Sequence, residues 1–452
     1  MLGETELKNI CDRVLSMSQA DQTEVVIFAP NSALTRFANN YIHQNVEQSD
    51  ADVRVRAVVG KKIGVASSND LSDEGLRAVV DRARDLARHQ KENPDFLSLP
   101  GPRPVPHADA YVERTARTGP EERAAVVAQV CDAASRAGLV AAGAFRTATA
   151  EMAVANSLGI SAYHCDTLAD INTVIMGENG SGHAERISTD VGEIDGEEVA
   201  REAVDKALRN VKQVELAPGE YDVVFQEYAV TDILDFFMYL SFGAQAFQEK
   251  RSFMSGRIGE RVMGENISIW DDGLSPESVP NPFDFEGVPK RKVTFVEQGI
   301  AREVVWDSYT AGKDARLPDG RGRESTGHAL PSGNTFGPVP SNMFLGTGEA
   351  TISSMVASTR RGVFVSRFWY TRPVHPLNVV VTGMTRDGTF LIEDGKITSP
   401  VRNLRFTQSY LEAMNNVEAI GKTSMLCKAI IGVSRVPALK IRGWTFTGVS
   451  EY

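Results

Sequence analysis

The sequence predicts an α+β protein of two domains: N-terminal strand-helix layers, followed by a mostly antiparallel β domain. Three observations carry this expectation. Apolar positions in the first half switch between helical spacing and strict alternation, the mark of strands and helices in succession. Composition then shifts at Ala217-Pro218-Gly219. Beyond that point, apart from one helical stretch, short strand-like runs punctuated by Asp-Gly and Gln-Gly pairs predominate. The chain has 452 residues, 42% hydrophobic and 24% charged, which is ordinary globular composition and excludes whole-chain disorder or coiled coil. The domains are expected at 1–215 and 216–452.

The elements follow in order. Glu4 to Met17 has helical spacing, and Glu24 to Ala29 is a short apolar strand. Val53, Val55, Ala57 and Val59 alternate with Arg54 and Arg56, as in a half-buried strand. Ile63 to Ser67 is a further strand, and the acidic stretch NDLSDEG opens a helix from Glu74 to about His89 with the apolar stripe Leu76, Val79, Val80, Ala83 and Leu86. Asn93 to Pro106 holds five prolines, too many for a helix, and is expected to be a stiff spacer between packed units. Gly119 to Ala137 is then helical and Leu139 to Ala155 strand-like; Ser161 to His164 and Ile171 to Met176 are strands. The order strand, acidic turn, amphipathic helix at Gly180 to Leu208 repeats that at Gly64 to Ala87, which predicts two similar layers. In the second half, one helix from about Glu227 to Lys250 precedes the strands. Turns at Asp272-Gly273, Gln298-Gly299, Asp387-Gly388 and Asp394-Gly395 supply residues that tolerate positive φ.

Charge and motifs narrow the function. A net charge of -11 and a pI near 5.3 disfavour direct contact with nucleic acid or anionic lipid. The four cysteines, Cys11, Cys131, Cys165 and Cys427, are scattered as reduced cytosolic thiols are. Glu4, Glu6 and Asp12 stand where a signal peptide needs a basic start and an apolar run, and the longest apolar stretch, Phe236 to Gln248, falls short of the roughly 20 residues that span a bilayer. A cytoplasmic, membrane-free protein is expected. No GxSxG, GxxxxGK[ST] or HExxH occurs, and the seven histidines are spread out.

Several long strings nevertheless resemble one family. SFMSGRIGERV (Ser252 to Val262), DFEGVP (Asp284 to Pro289), ESTGHALP (Glu324 to Pro331), SRFWYTRPVHP (Ser366 to Pro376), VTGMTRDGTFLIEDGKITSPVRNLRF (Val381 to Phe406) and NNVEAIG (Asn415 to Gly421) are similar to the TldD/PmbA (TldE) family, as are RFANNYIHQNV (Arg36 to Val46) and APGEYDVVF (Ala217 to Phe225). The resemblance implies two domains and a like subunit that together enclose a peptide channel. In the TldD branch it implies HExxxH on the helix after the GEYDVVF-like strand, with both histidines and a later cysteine on zinc and the glutamate as general base for peptide hydrolysis.

Here that motif falls on EYAVTD: Glu227 and Asp232 replace the histidines, and Tyr228 replaces the glutamate. A catalytic zinc needs about three protein ligands and a base, and a phenol with a pKa of about 10 is a poor base. Glu227 and Asp232, with Cys427 roughly where the family's cysteine falls, would make a hard-soft mixed site, and carboxylates five residues apart point about 140 degrees apart around a helix. The plainer reading is a helix-start Glu, a surface Asp and a buried thiol. Arg257, Glu260 and Arg261 fit a channel lining or partner contact, or else a solvated ion-pair cluster. His328 lies in the Gly/Ser/Pro-rich segment Gly320 to Pro340, as a functional or a hydrogen-bonded structural residue. On a strand, Arg367 and Trp369 share one face and Tyr370 and Arg372 the other, for a peptide or for core packing of Trp369.

The expectation is a zinc-free, TldE-like subunit that builds a peptide-binding chamber with a zinc-bearing TldD-like partner or a second copy of itself, for proteolysis or modified-peptide processing. No cofactor is expected in this chain, and no catalytic residue; peptides would be held by unpaired sheet-edge backbone groups. One alternative is a self-sufficient peptidase or amide hydrolase using some of Glu227, Asp232, His328 and Cys427. Another is a DNA gyrase-associated regulator without direct DNA contact.

Overall fold

A computed structural model describes residues 1–316, 320 and 322–450. The first half comprises α1 (Glu4–Met17), β1 (Gln22–Ala38), β2 (Tyr41–Ser49), β3 (Asp52–Val59), β4 (Lys62–Ser68), α2 (Asp73–His89), α3 (Glu113–Ala116), α4 (Pro120–Arg136), β5 (Val140–Asn156), β6 (Ser161–Met176), β7 (Ser181–Ser188) and α5 (Gly196–Arg209). Its strands form one antiparallel sheet ordered β4-β3-β1-β5-β6-β7, with β2 on the second half of β1.

The repeat is larger than the sequence indicated. Helix, three strands and helix occur twice, as α1-β1-β3-β4-α2 and α4-β5-β6-β7-α5, and meet at the β1–β5 pair. Both final helices are capped by a side chain: Ser72 accepts from the Gly75 amide, and Asp195 from the Glu197 and Glu198 amides. Each then presses on a glycine of its edge strand. A Cβ on Gly64 would lie 2.1 Å from the Ala83 carbonyl oxygen, and one on Gly182 would lie 2.1 Å from that of Ala203. Only glycine permits an approach this close.

Two expectations for this half change. The apolar stripe of α2 closes on Ala87, because Leu86 points outward and is 42% exposed. The proline-rich connector does join the two repeats but is not a free-standing spacer: both repeats share one sheet, and the connector packs on it, burying Phe96 and Leu99 against Val58 and accepting a 2.8 Å bond from Asn156 at the Pro100 carbonyl.

The second half comprises β8 (Gly219–Phe225), α6 (Glu227–Leu240), α7 (Ala244–Gln248), β9 (Ile269–Asp271), β10 (Val293–Glu297), β11 (Ile300–Ala301), α8 (Ser308–Asp314), β12 (Asn342–Leu345), α9 (Ile352–Ala357), β13 (Arg361–His375), β14 (Val380–Glu393), β15 (Lys396–Pro400), β16 (Leu404–Ser409), α10 (Tyr410–Ala413), β17 (Val417–Lys428) and β18 (Val433–Val449). They form a second sheet, antiparallel except for β8–β13 and β12–β18. Because β8 pairs with both β13 and β18, the strands β8-β13-β14-β16-β18 close into a ring. Phe225, Phe368, Phe406, Tyr410 and Trp444 pack together there, with Trp444 fully buried 4.7 Å from Phe225 and 5.3 Å from Phe406, centroid to centroid.

The expected helix from Glu227 to Lys250 is two helices. The chain turns at Ser241-Phe242-Gly243, where Gly243 meets the Pro338 carbonyl too closely for a Cβ and the Ala244 amide donates to Val305. Gln298-Gly299 and Asp394-Gly395 turn with positive φ as expected; Asp387 and Gly388 also take positive φ, but at an irregularity inside β14 and not at a turn, and Gly273 is not left-handed. The Gly/Ser/Pro-rich segment is irregular from 322 to 340, and Arg321 lies outside the described residues. Among the described residues no helix is long and apolar enough to cross a membrane.

Candidate functional site

Strand β8 ends at Phe225 and, after the single residue Gln226, the chain enters α6. That short link fixes the first turns of α6 against β7, β13 and the β17–β18 connection, where a cleft of about 560 Å³ opens. Tyr228, Asp232, Arg367, Trp369, Tyr370 and Arg372 all line it. His183, Glu185, Asp235 and Lys428 line it too, and sequence reasoning missed them.

The two sides of α6 belong to different networks. On one, the Tyr228 hydroxyl accepts from the Glu185 amide (3.2 Å) and Arg186 (3.1 Å) and donates to Glu202 (3.2 Å). Glu202 also accepts from Lys206 at 2.6 Å and Gln226 at 2.8 Å, and against the cost of burial those partners and Arg186 hold it ionised. Burial, and then the charge of Glu202, raise the Tyr228 phenol well above 10. It is a neutral hydrogen-bonding group, not a base. Half-buried Glu227 faces the same network, its carboxyl raised chiefly by burial and then by Glu202.

On the other side, Asp232 is not a surface acid. Its Oδ2 accepts from the Thr371 hydroxyl at 2.7 Å and its Oδ1 from the Tyr410 hydroxyl at 2.7 Å. Burial pushes it up to about 6, although both hydroxyls favour the ionised form. Asp235, one turn on, accepts from the Ile430 amide at 3.2 Å and is raised well above the carboxylate range by burial and then by Asp232. Cys427 is fully buried, with a thiol pushed well up by burial and by Glu185.

This donor set does not fit the histidine-based zinc site of the TldD branch. Both Asp232 oxygens are engaged by hydroxyls, Glu227 faces the Glu202 network, and the group at the base position is a phenol bonded to Glu202. A hard-cation site on Glu227, Asp232 and Cys427 would require Glu227 and Asp232 to leave their separate networks.

Strand β13 supplies the outer wall. Its register with β14 slips between Trp369 and Arg372, and Tyr370 takes a φ of 58°. That bulge turns Trp369 and Tyr370 outward, 42% and 65% exposed, so Trp369 is not a core residue. Arg367 binds Asp387 through Nε at 2.7 Å and lies 5.1 Å from the Trp369 ring; Arg372 lies 4.8 Å from the Tyr370 ring.

The remaining sequence candidates lie elsewhere. Arg257 pairs with Glu260 at 3.4 Å and donates to the Arg261 carbonyl, while Arg261 donates to Gln298, all exposed interactions. His328 is buried away from the cleft, between Asp271 at 2.8 Å and Thr326 at 3.0 Å. It is therefore not brought together with Glu227, Asp232 and Cys427. One signal for the missed residues was legible: Asp235 is a lone acid within the apolar run ILDFFM.

Ring-closed β strands feed a helix whose first turns face an acidic and aromatic cleft, and family models for metallopeptidase domains match this architecture. Residues 218–448 match the PmbA/TldA metallopeptidase C-terminal domain, 31–87 its domain 1 and 114–211 its central domain. The chain belongs to the TldD/PmbA family. It is 23% identical to the metalloprotease TldD homolog of Haemophilus influenzae over 99% of this chain and 97% of that one. It is 25% identical to a metalloprotease of Methanothermobacter thermautotrophicus, a match spanning 53% of this chain and 51% of that relative. The structure of TldE from Thermococcus kodakarensis superposes with a TM-score of 0.88 at 20% identity, over 98% of this chain and 100% of that one, which establishes the fold.

Proposed function

We propose that this chain is a zinc-free, TldE-like subunit of a TldD/TldE-type peptidase assembly, which forms part of a peptide-binding chamber and leaves hydrolysis to a zinc-bearing partner. The observation that carries the reading is the commitment of the motif positions: Asp232 to the Thr371 and Tyr410 hydroxyls, and Tyr228 to Glu202. A water-activating metal needs open coordination and a base, and these side chains are already spent on each other. The bulged strand bearing Trp369 and Tyr370 still offers exposed aromatics beside the cleft, which suits contact with an extended peptide or a partner surface.

The test is reconstitution. A peptide-hydrolysis assay on this chain alone, on a TldD-type chain alone and on the two mixed should show turnover only when the TldD-type chain is present, and more in the mixture. Robust turnover by this chain alone would replace the proposal with the self-sufficient hydrolase.

A further inference from the structure

The cleft contains a feature that the lost metal motif does not explain. Glu185 and Asp235 line the same cleft and are bonded by amides two residues apart, and each uses only one oxygen within the protein: Glu185 Oε1 accepts from the Lys428 amide at 3.3 Å, and Asp235 Oδ1 from the Ile430 amide at 3.2 Å. Beside them lies His183, 5% exposed, whose Nδ1 has no hydrogen-bond partner. Its ring is wedged edge-on to Tyr228 at 5.1 Å, and burial with nearby Arg367 and Lys206 keeps the imidazole neutral. The site therefore offers unfilled acceptors in excess of donors.

The cations lining the cleft are bonded to other groups. Arg367 is held by Asp387 and stacked on Trp369, Arg372 lies over Tyr370, and the Lys428 ammonium points to Asp170 at 3.7 Å. Arg367 and Lys428 favour the ionised form of Glu185 from nearby, but none of the three side chains is hydrogen-bonded to Glu185 or Asp235, so a cation in contact with both carboxylates comes from outside.

We propose that this cleft binds a primary ammonium group of a peptide, either its free amino terminus or a lysine side chain, between the Glu185 and Asp235 carboxylates, next to His183. The inference rests on the peptide-chamber reading and names the chemistry of the end or side chain that the chamber selects. A small, strongly hydrated cation with rotatable donors suits two unfilled carboxylate oxygens better than a planar guanidinium does. Binding has a further consequence. Burial and the neighbouring acids hold Asp235 well above the carboxylate range, and an adjacent ammonium lowers it, so ligand entry drives a proton from Asp235 to the buffer.

The experiment is calorimetric titration of the full chain with a short Ala/Ser peptide carrying a free amino terminus, its N-acetylated form, and the N-acetylated form with one internal lysine, each in two buffers of different ionisation enthalpy. Acetylation should weaken binding about tenfold or more, as loss of a charged hydrogen-bond partner does. If lysine does not restore it, the amino terminus is the ligand; if lysine restores it, the side chain is. In either case the observed enthalpy should differ between buffers, reporting proton release. Glu185→Gln and Asp235→Asn should each erase the contrast between free and acetylated peptides. Equal binding of all three peptides, or no binding of any, would overturn the inference; because wild-type protein alone decides this, a misfolded variant does not blunt the test. Zinc-dependent turnover by the isolated chain would defeat the partner reading while leaving the acetylation contrast to stand or fall separately.

Discussion

The Tyr410 hydroxyl donates to Asp232 Oδ1 at 2.7 Å, joining the first residue of α10 to the position where the TldD branch carries its second zinc-binding histidine. Thr371, from the bulged part of β13, takes the other oxygen. Side chains on two other elements are thus fitted to an acid at 232. Restoring the lost motif with Glu227→His, Tyr228→Glu and Asp232→His should therefore not restore a zinc site. A glutamate at 228 would set a second carboxylate against Glu202, and a histidine at 232 would leave the Thr371 and Tyr410 hydroxyls without their carboxylate. The expected outcome is a variant less stable by about 2–5 kcal/mol, with substoichiometric zinc by elemental analysis.

Stability should carry the signature of Asp232. Its folded-state pKa is raised from 3.8 to about 6, so the folded protein prefers the protonated form. That contribution is fully present below about pH 4 and is lost as pH rises through about 6. Asp232→Asn removes the dependence. Urea unfolding at about pH 4 and about pH 8 should show the variant gaining on wild type by about 1–3 kcal/mol at the higher pH.

The internal repeat makes a paired prediction. Gly64→Ala and Gly182→Ala each drive a methyl into a helix backbone, at the carbonyls of Ala83 and Ala203. Both should destabilise by about 1–3 kcal/mol, with similar losses in thermal midpoint. A large effect at one site and none at the other would break the equivalence of the two layers.

His328 separates scaffold from chemistry. It is buried between Asp271 and Thr326, and Asp271, despite its burial, is held at about 2 by His328, Lys290 and the Asn342 amide. His328→Gln should cost about 2–4 kcal/mol in chemical denaturation, while peptide binding per folded molecule stays unchanged. A loss of binding without a loss of stability would return His328 to the site.

Much of this was legible in the sequence, for physical reasons. The α1 span and the acidic caps of α2 and α5 are local signals, and local structure follows them; β3 forms as a strand where expected, but Arg56 and Val58 on its other face are buried too, Arg56 against Glu24 and Glu286. Strand β2 was not legible: all nine of its residues are exposed, so no buried face imprints a period on YIHQNVEQS. Nor was the closure of β8 onto β18, which joins residues more than two hundred positions apart. The cleft divides likewise. Tyr228, Asp232 and the Arg367 to Arg372 stretch were found through resemblance, whereas His183 and Glu185 reach it from β7 across the junction of the two sheets, a proximity that no spacing encodes.

The most direct measurement of the central claim is the metal content of the purified chain, by elemental analysis and by anomalous scattering at the zinc edge from crystals grown with zinc present. The account predicts less than stoichiometric zinc, and no anomalous peak near Glu227, Asp232 and Cys427. A full-occupancy peak coordinated by those side chains, with Asp232 released from Tyr410 and Thr371, would contradict it.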